Sequence, residues 1–174
     1  MTVIEFQPAG SSQGSYLNVG VHLLWNWSGH LSFDMIRRSE PFVRYMSDAQ
    51  FGPEAARLAS VAGAEVLSVR AGLREPSAVA DVIQTRSDIA GWGAYHQAVS
   101  LALGGKGMAA QDLFRRMATP RAGEPAWLVE LRQECSEFAE LVAEPVAFRA
   151  KIERLIAAQR TALHLPAVHG SLPG

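Results

Sequence analysis

A single cysteine in 174 residues leaves no disulfide framework within the chain. Metal-ligand spacing is missing too: no two histidines stand four apart, and neither C-x-x-C nor H-E-x-x-H occurs. His164 and His169 fall at the chain end, and no cofactor is called for. Charge of one sign is also lacking. Lys plus Arg number 16 against 17 Asp plus Glu, a net charge of −1, so no basic field draws nucleic acid; Arg37, Arg38 and Arg44 could form only a local patch. The apolar runs are far too short to span a bilayer, and the N-terminus lacks the basic-then-apolar pattern of a signal peptide. These absences predict a soluble, cytoplasmic protein. The sequon Asn26-Trp27-Ser28 is then expected to carry no sugar.

What is present is an ordinary globular composition, 48% hydrophobic and 19% charged. A chain of this size buries roughly 70% of its unfolded surface, so it needs no staple. The first part alternates with period two. In "TVIEFQ", Ile4 and Phe6 share one face, and Val3, Glu5 and Gln7 the other. In the next run Leu17, Val19, Val21, Leu23, Trp25 and Trp27 share a face, while Tyr16, Asn18, Gly20, His22, Leu24 and Asn26 share its opposite. Leu31, Phe33 and Met35 alternate in turn. This is strand behaviour. Parity sets the register. Phe6 opposite Leu17 and Ile4 opposite Val19 keep one apolar face, and a loop Ser28-Gly29-His30 sets Trp25 against Phe33 and Leu23 against Met35.

After Arg38 the period changes. Ser39-Glu40-Pro41 reads as a helix start. Further helices are expected from Pro53, over "PSAVADVIQTR", from a Ser87 or Asp88 cap to Gly104-Gly105, over "GMAAQDLFRRMA", and around Pro145, as two helices or one long helix kinked there. Trp127, Leu131, Cys135, Phe138 and Val142 form a helical apolar stripe, which makes Cys135 a buried core thiol. The predicted class is α+β: an N-terminal three-stranded antiparallel β-meander over 1–38, then a helical part over 39–164 of about five to six helices. Residues 1–164 are expected to form a single domain whose helices cover the Trp25/Trp27 face, with 165–174 a flexible tail.

Two motifs carry little. Gly10-Ser11-Ser12-Gln13-Gly14 fits G-x-S-x-G, but that motif needs a strand-to-helix turn, and here a strand follows. "GGKG" at 104–107 lacks phosphate-loop spacing and reads as a helix stop and tight turn; with its flanks it gives one αα-hairpin. The polar sheet face is more informative. Glu5, Gln7, Tyr16, Asn18, His22, Asn26 and Asp34 would line it as ligand-binding candidates, with Arg38 at one end. His22 and Asp34 fall on a diagonal of the expected register, and a carboxylate beside an imidazole orients the ring, a base-like arrangement. They are the two catalytic candidates. Val3, Leu24 and Ile36 share the face, so burial against a helix or a second subunit is also expected.

The strand "IEFQ", a polar loop, and "SYLNVGV" resemble the hairpin of a bacterial domain-of-unknown-function family, on Phe6, Gln7, Tyr16, Asn18 and Gly20. The resemblance covers this N-terminal hairpin only. Members usually carry a helix ahead of the first strand, where this sequence begins in the strand. It implies an α+β domain in a bacterial protein and offers no activity. Two functions follow as expectations. The first is a non-enzymatic protein-interaction or self-associating module, with the edge of the short first strand as the pairing surface of a homodimer. The alternative is a small-molecule binder or enzyme with a polar cleft at His22 and Asp34.

Overall fold

The computed structural model describes residues 1–9, 12–26, 29–85 and 91–166. The chain divides into two compact units: Met1–Leu23 with Leu31–Gly72, and Leu24–His30 with Leu73–Gly174. The order is β1 (Thr2–Ala9), β2 (Ser12–Val21), β3 (Met35–Arg44), α1 (Asp48–Gly72), α2 (Pro76–Gln84), α3 (Trp92–Leu103), α4 (Gly107–Ala118), α5 (Ala126–Leu141) and α6 (Pro145–Ala162). The fold is α+β, with an antiparallel sheet of order β1-β2-β3.

The first unit is the sheet with α1. β1 and β2 pair as their alternation predicts, Ile4 opposite Val19, Glu5 opposite Asn18 and Phe6 opposite Leu17. One face of β2 is apolar because every second residue is Leu or Val. Leu17 and Val19 are buried against Leu58 and Ala62 of α1, with Val43, Val61, Val66 and Val69 packed around them. On the other face Asn18, Gly20 and His22 are buried as well.

Several expectations fail in this unit. The second strand stops at Val21 instead of running to Trp27, and the third begins at Met35 instead of Leu31. Val21, not Leu23, faces Met35, and Trp25 does not pair with Phe33. The Leu/Trp alternation scores as strand, but Trp25 finds partners in the second unit, and tertiary context overrides β propensity. The meander also runs past residue 38. Ser39-Glu40-Pro41 lies inside β3, where Pro41 is tolerated because β3 is an edge strand. The register shifts twice along β2–β3, between Ser15 and Leu17 and between Leu17 and Asn18. The capping serine is Ser47, whose Oγ accepts the Gln50 N–H at 3.3 Å. Pro53 sits within α1 rather than at its start.

The second unit is helical. Tyr95, Phe114, Phe138 and Phe148 are its largest fully buried side chains, and Tyr95 stacks on Phe138 with centroids 6.0 Å apart. The segment Leu24–His30 contributes Trp25, whose indole Nε1 donates to His96 Nδ1 at 3.0 Å. Trp25 lies beyond the end of β2, and Trp27, with Ser28, lies outside the described residues. "GGKG" is the α3–α4 turn as expected: Gly105 adopts φ +79°, and the Lys106 N–H bonds back to Leu101 O at 2.8 Å. Pro145 opens α6 at its first turn, so α5 and α6 are two helices. The α5 stripe buries Leu131, Cys135, Phe138 and Val142, but Trp127, in the first turn, stays 46% exposed. α3 begins at Trp92; the expected Ser87 or Asp88 cap lies outside the described residues, as do Gly10, Ser11 and 167–174. Among the described residues no helix is long and apolar enough to cross a membrane.

Candidate functional site

The β1–β2 pairing brings much of the expected polar face together. Asn18 Nδ2 donates to Glu5 Oε2 at 2.8 Å and to Gln7 Oε1 at 3.0 Å. The Arg38 guanidinium lies 4.0 Å from the Tyr16 ring centroid, and Phe42 packs against the same ring at 5.1 Å. Gly20 has no Cβ because there is no room for one: a Cβ there would stand 2.4 Å from the Phe33 ring and 2.7 Å from Met35 O. Gln7, Tyr16, Asn18 and Gly20 thus have packing or hydrogen-bonding work on this face. Phe6 points to the other one. Asn26 lies beyond the end of β2 and is buried in the second unit.

His22 and Asp34 do meet, though not as strand neighbours. They lie in the connection between β2 and β3, with His22 Nδ1 3.4 Å from Asp34 Oδ2 and side-chain exposures of 0% and 5%. Asp34 Oδ2 accepts the Leu23 backbone N–H at 2.6 Å, and its own N–H bonds to Val21 O at 3.0 Å. Ser32 Oγ donates to Asp34 Oδ1 at 2.9 Å and lies 3.0 Å from His22 Nδ1. These are the residue types of a Ser-His-Asp triad, wired differently. In a triad the serine faces Nε2 and gives its proton to the ring. Here serine and aspartate both meet Nδ1, and the serine proton points to the carboxylate. These contacts hold the connection between β2 and β3 closed.

The outer edge of β1 is the other feature of this unit. Met1 N donates to His22 O at 2.8 Å and His22 N to Met1 O at 2.9 Å, so these two residues exchange both bonds. Antiparallel pairing alternates such pairs with pairs that exchange none. With an unbroken register from Met1 to Pro8, Val3, Glu5 and Gln7 therefore bond inward to β2. The N–H and C=O of Thr2, Ile4 and Phe6 point away from it. Pro8, which has no N–H, falls on the outward row, where β2 needs no donor. Ile4 and Phe6 are also half exposed, 45% and 50%. The opposite edge is different: β3 carries Arg38, Glu40, Pro41 and Arg44 and an irregular register, all of which blunt an edge.

A feature that the sequence reading missed lies in the second unit. A cavity of about 260 Å³ has an apolar lining that includes Ala94, Met117 and Leu131, with Arg116, Arg121 and Arg132 around it. Arg132 grips Glu124 through Nε, at 2.5 Å, and through Nη2, and donates Nη1 to Met117 O. This contact holds the Glu124 carboxyl below the usual carboxylate range. The signal was present in "FRRM" and "TPRAGE", but nothing in the spacing shows that two helix ends converge.

Comparison with protein-family models, with curated proteins and with solved structures finds no match for this chain.

Proposed function

We propose that this protein acts by binding rather than by catalysis, and that the outer edge of β1 accepts an extended strand. One observation carries the reading: on Thr2, Ile4 and Phe6 an outward row of backbone donors and acceptors coincides with half-exposed apolar side chains. Strand addition draws affinity from main-chain bonds and selectivity from alternate side chains, and this edge offers both. The contacts of Ser32 and Asp34 support the same reading, because they tie the β2–β3 connection to the end of β2.

A screen of displayed extended octapeptides tests it. Selected peptides should show alternating apolar residues, and binding should be lost in Phe6→Asp and kept in Met108→Lys, a change on an exposed α4 side chain. Failure to select any peptide, together with free exchange of the Ile4 and Phe6 amides at every protein concentration, would remove the reading.

The cavity in the second unit favours a second reading, a small anion with an apolar body held by Arg116 and Arg121. A thermal-shift series of aliphatic and aromatic carboxylates should then raise Tm, and the rise should vanish in Arg116→Ala/Arg121→Ala. No shift with any carboxylate would rule it out.

A further inference from the structure

Resting on the strand-edge reading, we infer that the occupant of this edge is the same edge of a second copy of the chain, paired antiparallel about a two-fold axis at Ile4. The argument is one of register. Only Thr2, Ile4, Phe6 and Pro8 direct backbone groups outward, so bonded pairs must be drawn from these positions.

Consider first the axis at Ile4. Thr2 of one copy faces Phe6 of the other, Ile4 faces Ile4, and Phe6 faces Thr2. Each of these pairs can exchange two bonds. Pro8 lies beyond the paired stretch, so its missing donor costs nothing. Between the bonded pairs Glu5 faces Val3, and no charge meets its like.

The neighbouring registers are worse. With the axis at Glu5, Thr2 faces Pro8 and loses a bond at each end, and the two Glu5 carboxylates stand directly opposite each other, which is repulsive. With the axis at Phe6, Ile4 faces Pro8 and loses a bond next to the centre. With the axis at Val3, only Thr2 and Ile4 pair, and both Phe6 rings are left uncovered. The Ile4 and Glu5 registers both use the outward donors of Thr2, Ile4 and Phe6, but only the Ile4 register does so without setting an acceptor against Pro8 or two carboxylates against each other. It also sets the half-exposed Ile4 side chains against each other on one face, with each Phe6 beside a Thr2. The isologous contact closes on itself, so it ends at a dimer and does not extend into a fibre. The charged, proline-bearing β3 edge at the other side of each sheet stops further growth.

The experiment pairs sedimentation velocity with residue-resolved amide exchange across a wide concentration range. The expected result is a monomer–dimer equilibrium. Thr2, Ile4 and Phe6 amides should become protected as the dimer fills, while Val3, Glu5 and Gln7 are protected at every concentration. Ile4→Lys should abolish the dimer by placing two ammonium groups at the axis; Met108→Lys should leave it intact. Glu5→Gln should not strengthen the dimer, as it would if the axis lay at Glu5. Protection of the outward amides is measured on the natural protein, so the proposal stays testable even if Ile4→Lys fails to fold. A dimer that persists in folded Ile4→Lys, or one that forms without protecting these amides, overturns the inference. A monomer at all concentrations overturns it too. If that monomer still binds the selected extended peptides through Phe6, the strand-edge reading survives without self-pairing. If it binds none, both fall.

Discussion

The Asp34 carboxylate accepts the Leu23 backbone N–H at 2.6 Å, so a side chain takes the place of a ladder partner just beyond the end of β2. Asp34 also receives the Ser32 hydroxyl and sits beside His22, in a place almost closed to water. Removing the carboxylate takes the acceptor from the buried Leu23 N–H and leaves the Ser32 hydroxyl with only the His22 ring beside it. Asp34→Ala should therefore destabilise the first unit by about 1.5–3 kcal/mol, the range for bonds to charged groups. Asp34→Asn, which keeps one acceptor, should cost less. Urea unfolding followed by far-UV circular dichroism measures both. Equal and negligible costs would mean that the loop is held by other contacts.

Gly20 gives a second prediction. A Cβ at this position collides with the Phe33 ring, which can rotate, and with Met35 O, which is backbone of the paired strand. Gly20→Ala should cost about 1–3 kcal/mol, as overpacking of a filled site does. Phe33→Leu in the same chain should recover only part of it, because the carbonyl contact remains. Full recovery would show that β3 yields more readily than its pairing suggests.

How far the sequence foretold this fold can be read residue by residue. The β1–β2 register was legible because Ile4, Phe6, Leu17 and Val19 alternate strictly and one face had to be buried. The end of β2 was not. Leu23, Trp25 and Trp27 continue the same alternation, and nothing local says that Trp25 bonds His96, 71 residues away. Ser39-Glu40-Pro41 misled in the opposite direction. Its residue types suit a helix start, but an edge strand tolerates proline equally well. The His22–Asp34 approach was foreseen from a diagonal in a pairing that does not form; the two meet because a loop folds back. The edge position of β1 was legible from the order of the meander. Its outward row was not, since that depends on the exchange of bonds between Met1 and His22.

The Cys135 thiol tests the packing of α5. It is fully buried on the stripe with Leu131 and Phe138, and burial pushes its pKa up to about 12. Only the thiolate attacks a disulfide reagent, and a buried thiol at that pKa supplies almost none near neutral pH. Ellman's reagent at about pH 8 should therefore leave the native protein unlabelled and react with one thiol per chain once denaturant is added. Rapid labelling without denaturant would mean that α5 opens locally far more often than its burial implies.

Two carboxyls of the second unit should respond to pH with opposite sign. Glu124 is held below the ordinary range, mainly by its hydrogen bonds from Arg132. The folded state therefore releases this proton more readily than the unfolded one. The stability Glu124 contributes is complete above the ordinary carboxylate range and is lost as pH falls through its lowered pKa. Glu134 is raised, chiefly by burial, with Lys151, 3.7 Å away, offsetting part of the effect. Here the folded state holds the proton more tightly, so stability declines as pH rises from the ordinary carboxylate range through the raised pKa. Glu124→Gln should lower Tm at neutral pH, and its deficit should disappear in acid. Glu134→Gln should raise Tm at neutral pH, and its advantage should shrink in acid, where the natural side chain is already neutral. Calorimetric scans of both variants between about pH 2 and 8 measure this. If the two difference curves ran in the same direction, one of the two assignments, the arginine clamp on Glu124 or the burial of Glu134, would have to be given up.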